Sequence, residues 1–224
     1  MSIIEIAHRG YSYIEPENTI TSFKSAISAE FDMIEADIQL CKSGEIIVFH
    51  DNHIDFNLIK DLTFRQIINY NKTIIKIEDL FKIIDINYTK IYLDLKGDEK
   101  IIKPLIKFLK NNIFNFKNLY IGSFNKIHLQ LLMKSNLGLK LGLITCNNFF
   151  IDKNSESKEL DILLDGLYFI CIDWGIISNE LINYCHKKNK KVYCYTLTNI
   201  KNLKNFLKYN IDGIVTNLKF KKNT

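Results

Sequence analysis

The chain has 224 residues, of which 47% are hydrophobic and 25% are charged, and its formal net charge is +5. This size fits one globular domain of ordinary core content, or two small ones. No run of about 18 apolar residues occurs, which excludes a readable transmembrane helix. No linker or low-complexity tract divides the chain, so we predict a single domain over residues 1–224.

Cysteine usage and charge distribution constrain the compartment and the partners. The five cysteines are scattered without a CxxC pair, which indicates reduced thiols in a cytosol-like compartment. The N-terminus has no basic segment followed by a long apolar segment, so we predict a cytoplasmic protein without a leader or a stable membrane anchor. The densest lysine cluster, residues 187–191, contains no aromatic residues for base stacking, and we predict no nucleic-acid partner. The sequence does not determine the oligomeric state.

Short apolar runs alternate along the chain with longer segments of helical periodicity, a rhythm typical of parallel βα units. The predicted strands are 3–7, 33–40, 45–49, 90–95, 119–123, 140–145, 167–172, 191–196 and 213–216. The predicted helices include 19–29, 99–112, 125–135, 178–188 and 200–209.

Nine predicted strands are one more than an eight-stranded barrel needs. Residues 40 to 45 are too few for a parallel crossover, so 45–49 is predicted to return as a hairpin after the second strand. With Ser43 and Gly44 as the turn, Asp37 would face His50. The other eight strands then form a (β/α)₈ TIM barrel, and a doubly wound open sheet is the second choice because no glycine-rich phosphate loop follows the first strand.

Polar residues collect at the predicted C-terminal strand ends, where barrels of this kind place their chemistry. They are His8 and Arg9 on the first strand, Glu35 and Asp37 on the second, Asp94 and Lys96 on the third, then Ser123, Tyr195 and Thr216 on later strands. Alternation puts Glu35 and Asp37 on one face of their strand. Buried carboxylates without a counter-charge are costly, so three acids at one end of the barrel predict a cation, and oxygen ligands favour Mg²⁺ or Ca²⁺.

The segments "AHRGYSYIEPENTITSF", "DMIEADIQLCKSGEIIVFHD" and "IYLDLKG" resemble the glycerophosphodiester phosphodiesterase family. The similarity continues more weakly through "IGSFN", "VYCYTLTN" and "IDGIVTN", and so extends over essentially the whole chain. The resemblance implies a TIM-barrel phosphodiesterase that hydrolyses glycerophosphodiesters to glycerol 3-phosphate and an alcohol, with a small-molecule phosphodiester as its substrate.

The resemblance also implies roles for eight residues. His8 and His50 would be the catalytic acid and base, and Arg9 and Lys96 would hold the phosphate oxygens. Glu35, Asp37 and Asp94 would bind one divalent cation, and Tyr195 would pack against the substrate in the place of a family tryptophan.

Two departures from the family pattern keep alternatives open. Asp94 stands where the family usually has glutamate, and the segment after His50 looks trimmed, which would leave a more open mouth. A bulkier substrate such as a lysophospholipid is therefore an alternative, cleaved by a lysophospholipase D or sphingomyelinase D-like lyase that forms a cyclic phosphate. A catalytically degenerate barrel that only binds phosphodiesters is another.

Overall fold

The structure, a computed structural model, describes residues 3–112, 116–147 and 164–220. Its strands are β1 (Ile4–Ala7), β2 (Met33–Leu40), β3 (Ile46–Val48), β4 (His53–Ile54), β5 (Asn57–Leu58), β6 (Ile75–Lys76), β7 (Ile91–Leu95), β8 (Leu119–Ser123), β9 (Lys140–Thr145), β10 (Phe169–Asp173), β11 (Lys191–Leu197) and β12 (Gly213–Thr216). Its helices are α1 (Ile20–Ser28), α2 (Phe64–Tyr70), α3 (Ile77–Ile83), α4 (Ile102–Asn111), α5 (Lys126–Met133), α6 (Asn179–Lys187) and α7 (Leu203–Leu207).

Eight parallel strands close into a barrel. Strand β1 pairs in parallel with β12 on one side and with β2 on the other, so that Ile6 lies beside both Val215 and Met33. The remaining pairs run β2–β7–β8–β9–β10–β11–β12, all parallel. The closed ring confirms the predicted TIM barrel and excludes the open doubly wound sheet.

Two apolar layers hold the barrel together. Inside the ring, aromatic side chains fill the lumen, with Phe169 packed against Tyr92, Tyr120 and Tyr193. Glycine at position 142 is required there because a Cβ atom would overlap the Phe169 ring. Outside the ring, a larger layer of aliphatic residues packs the strands against the helices. The barrel is therefore a packed core, and its ends are the places open to ligands.

The hairpin after β2 exists, but its predicted register is wrong by one residue. Strand β3 pairs antiparallel with β2 so that Ile38 lies opposite Val48, and the Phe49 amide donates to the Asp37 carbonyl at 3.1 Å. Asp37 therefore faces Phe49 and not His50. The loop has three residues, 42–44, because Gly44 adopts a left-handed φ of 94° and lengthens the turn by one residue.

The segment between the hairpin and β7 contains short elements that the sequence pattern did not predict. Strands β4 and β5 form a two-stranded hairpin, β6 extends the sheet beside β3, and helices α2 and α3 have seven residues each. Elements of this length hold too few apolar residues to show a period. Two predicted helices are also shorter than expected, because 99–101 and 200–202 form 3₁₀ turns ahead of α4 and α7.

The cysteines form no disulfide. Cys41, Cys171, Cys185 and Cys194 are buried and Cys146 is exposed, and all five are free. Burial raises the pKa of the Cys171 thiol well above its ordinary value, so this side chain acts as a small hydrophobic residue. In the described part of the chain, no helix combines the length and apolar character needed to cross a bilayer.

Candidate functional site

All eight residues predicted to form the site line one cavity at the C-terminal end of the barrel. The cavity has a volume of about 170 Å³. His8 and Arg9 follow β1, Lys96 follows β7, and His50 follows β3, while the other four lie on the barrel strands β2, β7 and β11. Strand alternation and the parallel register, which puts Asp94 beside Asp37, bring together residues far apart in sequence.

Three carboxylates form the floor of this site. One oxygen from each of Glu35, Asp37 and Asp94 lies within 4.8 Å of the other two, and the three residues are only 3%, 1% and 8% exposed. The Oδ1 atom of Asp94 is buried without a hydrogen-bond partner. An unpaired carboxylate oxygen in a buried position is costly, and a cation ligated by all three acids would remove that cost.

Two basic side chains offset part of this negative charge. The Lys96 ammonium lies 2.6 Å from Asp94 Oδ2 and 3.0 Å from Asp37 Oδ1, and Arg9 Nε lies 3.1 Å from Asp37 Oδ2. Arg9 also forms an ion pair of 2.7 Å with Glu17. Lys96 and Arg9 therefore pair with Asp37 and Asp94, whereas Glu35 accepts a hydrogen bond from the Arg9 backbone amide at 2.7 Å.

The pKa directions follow from this arrangement. Burial raises the pKa of Glu35 well above its usual value, and the charges of Asp37 and Asp94 add to the effect. Burial also raises the pKa of Asp94, to about 7, although Lys96 opposes the shift. For Asp37, burial is outweighed by Lys96, Arg9 and the Asn18 amide, and its pKa falls below the ordinary value. Carboxyls with pKa values pushed apart in a cleft are typical of functional sites.

His8 is half-buried at the edge of the site, and its ring is held by a hydrogen bond to Asn217. Its Nδ1 lies 2.6 Å from Oδ1 of Asn217, an atom that can only accept, so Nδ1 carries the proton and Nε2 has the free lone pair. Burial, together with the positive charge of Arg9, lowers the His8 pKa to about 4. The imidazole is therefore neutral at pH 7.

His50 is partly exposed, with 35% of its side chain accessible. It follows Phe49 at the end of the hairpin, and its Nδ1 lies 2.7 Å from Asp51 Oδ1. Although the hairpin register differs by one residue from the predicted one, His50 lines the same cavity as the three carboxylates. It also lines a neighbouring cavity of about 540 Å³, together with Asn52 and His53 at the start of β4.

Sequence reasoning missed two asparagines that hold site residues. Asn18 donates from Nδ2 to Asp37 Oδ2 at 2.8 Å and accepts from the Asp37 amide at 3.2 Å. Thr19 is the N-cap of α1, which leaves the Asn18 side chain free for this role. Asn217 gave no local signal, because its partner His8 lies 209 positions away.

Aromatic rings form one wall of the cavity. The Tyr195 hydroxyl donates to the Thr145 carbonyl at 3.2 Å, and the Tyr195 ring lies edge-on to Phe124, with centroids 6.2 Å apart. The Phe124 ring also lies 5.7 Å from the Lys96 ammonium. Tyr195 is thus placed as an apolar wall with its hydroxyl anchored, and Phe124 is a further wall residue that sequence reasoning missed.

Comparisons with known proteins agree with this fold. The model of the glycerophosphoryl diester phosphodiesterase family matches residues 8–87. A glycerophosphodiester phosphodiesterase of Caldanaerobacter subterraneus subsp. tengcongensis is 29% identical over 96% of this chain and 94% of its own length.

Solved structures of the same barrel extend the comparison. A glycerophosphodiester phosphodiesterase of Thermotoga maritima superposes with a TM-score of 0.79 at 23% identity, covering 97% of this chain and 95% of that one. An Oleispira antarctica phosphodiesterase, solved in complex with the product sn-glycerol-3-phosphate, gives 0.81 at 19% identity, covering 96% and 92%. The resemblance drawn from the sequence motifs is thereby confirmed: the chain is similar to glycerophosphodiester phosphodiesterases over nearly its whole length and shares their barrel fold.

Proposed function

We propose that the protein is a metal-dependent phosphodiesterase that hydrolyses glycerophosphodiesters to glycerol 3-phosphate and an alcohol, and that residues 1–224 act as one catalytic domain. The observation that carries the proposal is the joint placement of three buried carboxylates, two histidines and two basic side chains around one cavity. The names of the relatives, including one bound to glycerol 3-phosphate, support the same reaction.

The metal site of the proposal consists of Glu35, Asp37 and Asp94. Their oxygen donors suit Mg²⁺ or Ca²⁺, and the unpartnered Asp94 oxygen fits a ligand role. A bound divalent ion would supply positive charge for the phosphate oxygens in the transition state. Asn18 would hold Asp37 in its ligating orientation through its two hydrogen bonds.

The phosphate group of the substrate would lie between Arg9 and Lys96. A phosphodiester carries one negative charge that repels an incoming oxygen nucleophile, and more negative charge develops as the bond to that nucleophile forms. The guanidinium of Arg9 can contact two phosphate oxygens, and the ammonium of Lys96 acts as a point charge. Both side chains are already held against the acids, so they are oriented before substrate arrives.

The two histidines would move the protons. His8 is neutral at pH 7 and has its free lone pair on Nε2, so it is suited to take the proton from the nucleophile. His50, beside the Asp51 carboxylate, is suited to protonate the departing alcohol. The nucleophile is water or the neighbouring glycerol hydroxyl, and in the second case a cyclic phosphate forms first and is later opened by water.

Phosphorus NMR of the purified protein with glycerophosphocholine tests the proposal. We expect glycerol 3-phosphate with Mg²⁺ or Ca²⁺ and none in a chelator. Because each proton transfer contributes roughly 10²–10⁴-fold, His8→Ala and His50→Ala should each lose activity by about that factor while remaining folded.

The control is His53→Ala, which removes a nearby exposed histidine and should leave turnover unchanged. Accumulation of a cyclic phosphate, especially from lysophosphatidylcholine, would instead support the lyase alternative. Binding of metal without turnover of either substrate would support the degenerate barrel. Near-normal activity of His8→Ala or His50→Ala would contradict the proposed proton transfers.

A further inference from the structure

A second large cavity, of about 860 Å³, opens at the N-terminal end of the barrel strands. Its walls come from residues at or near the starts of the strands, among them Ile4 of β1, Tyr120 of β8 and Tyr193 of β11. We call it the N-terminal cavity. Its volume lies within the range of about 300–1,000 Å³ that is typical of small-molecule sites. It shares no lining residue with the cavity that holds the acids and the histidines, so a ligand bound here would be separate from the proposed reaction.

Lysines occupy the inner face of the barrel at this end. In the parallel register Lys191 lies beside Phe169 and Lys140 lies beside Tyr120, and both of these aromatic side chains fill the lumen. Neighbours in register point to the same side of a sheet, so the two lysines also belong to the inner face. Lys90, just ahead of β7, lines the N-terminal cavity together with Lys191. The three lysines come from alternate strands of the ring and therefore surround one opening.

Several of the cations at this end are held by neutral groups. The Lys190 ammonium donates to the Leu167 carbonyl at 2.8 Å, and the Lys140 ammonium donates to the Tyr120 hydroxyl at 3.1 Å. Within the described ranges, no carboxylate forms an ion pair with Lys90, Lys140 or Lys190. Neutral partners orient an ammonium group but leave its charge in place. The positive charge at this opening is therefore available to an anion.

The carboxylate that lines the cavity, Asp212, does not offset this charge. Its oxygens lie 2.7 Å from Lys191 Nζ and 2.9 Å from His186 Nε2, and they accept from the Val192 amide at 2.9 Å. Burial would raise the pKa of Asp212, but these three partners hold it below the ordinary value. Asp212 is thus already paired, and the remaining lysines give the opening a surplus of positive charge, which attracts anions.

A tyrosine ring forms a flat wall beside these cations. Tyr168 is 38% exposed and lies edge-on to Tyr120, with ring centroids 5.8 Å apart. The Lys140 ammonium lies 5.1 Å from the centre of the Tyr168 ring and 4.6 Å from that of Tyr120. An accessible aromatic ring next to oriented cations suits a ligand that carries a flat ring and several negative charges together.

We propose that the N-terminal cavity binds a nucleoside polyphosphate, with its phosphates near Lys90 and Lys190 and its base against the Tyr168 ring. Lysine binds phosphate as a point charge, so several lysines around one opening favour an anion that carries several charges. A nucleic-acid strand would instead need cations that follow a groove. The proposal does not depend on the reaction at the other end of the barrel.

Isothermal titration calorimetry of the full chain tests the proposal with three probes: ATP, tripolyphosphate and adenosine. A chelator is present throughout, so that no divalent ion draws phosphate to the catalytic acids. We expect one ATP per chain, bound at least about fivefold more tightly than tripolyphosphate because base stacking adds about 1 kcal/mol or more. Adenosine should bind most weakly. Absence of ATP binding, or equal affinities for ATP and tripolyphosphate, would overturn the proposal.

Two variants separate the phosphate contact from the ring contact. Lys90→Gln should weaken the binding of ATP and of tripolyphosphate alike, by about fivefold or more, because both lose a charged partner. Tyr168→Leu should weaken ATP by about fivefold and leave tripolyphosphate unchanged, because leucine keeps an apolar side chain but offers no ring. Unchanged ATP affinity in either variant, or an equal loss for both ligands in Tyr168→Leu, would contradict the proposed contacts.

The matched controls are Lys103→Gln on α4 and Tyr70→Leu on α2, which change exposed residues outside the N-terminal cavity. Both should bind ATP like the unmodified chain. Arg9→Gln, which alters the catalytic cavity, should also bind ATP unchanged, and a loss there would assign the nucleotide to that cavity and overturn the proposal. Because these measurements record binding and not turnover, failure of the N-terminal cavity to bind ATP and failure of the proposed hydrolysis can be told apart.

Discussion

The Asn217 amide fixes the tautomer of His8, a residue that sequence reasoning could place but not orient. Because Asn217 Oδ1 accepts from His8 Nδ1, the free lone pair is on Nε2, and the neutral form is favoured by burial and by Arg9. A carboxylate at the same position would instead stabilise the imidazolium. Burial and Arg9 thus keep the His8 pKa low, and position 217 is a place where a negative charge would raise it.

Asn217→Asp should raise the His8 pKa from its value of about 4, by roughly one unit or more because of the added negative charge. A base must be unprotonated to act, so the acid limb of the pH profile of kcat/KM should move to higher pH. Asn217→Ala should lower kcat by about tenfold, because the ring loses its orientation. A pH series of glycerophosphocholine hydrolysis measures both effects.

The control for this pair is Asn205→Asp, which makes the same charge change at an exposed position of α7. Its pH profile should match that of the unmodified chain. A shift of the alkaline limb in Asn217→Asp would assign the acid role to His8 and contradict the role proposed for it.

At the scale of elements, the loop between β1 and α1 determines how His8 and Arg9 meet the acids. Gly10 has a φ of 77°, its amide donates to the Glu35 carbonyl at 3.2 Å, and the Tyr11 amide donates to the Ser22 carbonyl at 2.9 Å. Ser22 forms the capping box of α1 with Thr19. A Cβ at Gly10 would lie 2.7 Å from the Ser22 carbonyl carbon, so the loop packs too closely against the first turn of α1 for any side chain at position 10.

Gly10→Ala should destabilise the fold by about 2 kcal/mol or more. The strain of the left-handed backbone adds to a clash with the Ser22 backbone, which cannot move aside as a flexible side chain could. Gly44→Ala is the matched control: its φ of 94° imposes similar strain, but nothing lies within 4 Å of the added Cβ. Urea denaturation followed by circular dichroism should therefore show a clearly larger loss for Gly10→Ala. Equal losses would mean that the contact with Ser22 carries no cost.

The same elements show what a sequence pattern can and cannot establish. The period of two placed Glu35 and Asp37 on one face of β2, because side-chain direction in a strand is a local property. The hairpin register depended on the φ angle of Gly44, which cannot be read from the amino-acid sequence. The support of Asp37 by Asn18 depends on a loop conformation, and that of His8 by Asn217 on closure of the whole barrel, so neither was predictable locally.

For the whole molecule, the acid cluster links metal binding to stability. Asp94 has a pKa of about 7 in the folded chain, mainly because of burial, against an ordinary value of 3.8. Between about pH 4 and pH 7, Asp94 is protonated in the folded chain and ionised in the unfolded chain. The free energy of unfolding therefore falls as the pH rises through this range. Asp37 acts in the opposite sense because its pKa is lowered in the folded chain. The stability that its carboxylate contributes to the fold is lost as the pH falls below 3.8, its ordinary pKa.

Asp94→Asn removes the cost of a buried charge, and it also removes a proposed metal ligand. In a chelator above pH 7, we expect the variant to melt a few degrees higher than the unmodified chain. Addition of Mg²⁺ or Ca²⁺ should raise the melting temperature of the unmodified chain, because a ligand that binds only the folded state stabilises it. The same ions should raise that of the variant far less.

Asp165→Asn, an exposed carboxylate ahead of β10 at the far end of the barrel, provides the control and should follow the unmodified chain in every condition. Thermal melts at several pH values, each with chelator and with metal, measure the whole set. An equal response of Asp94→Asn to metal would remove Asp94 from the ligand set. A lower melting temperature of that variant in chelator above pH 7 would show that the Asp94 carboxylate stabilises the barrel through Lys96 alone. We expect the variant to be the more stable protein without metal and the unmodified chain to be the more stable one with metal. This reversal follows if the three carboxylates serve to bind a cation and destabilise the folded chain when no cation is bound.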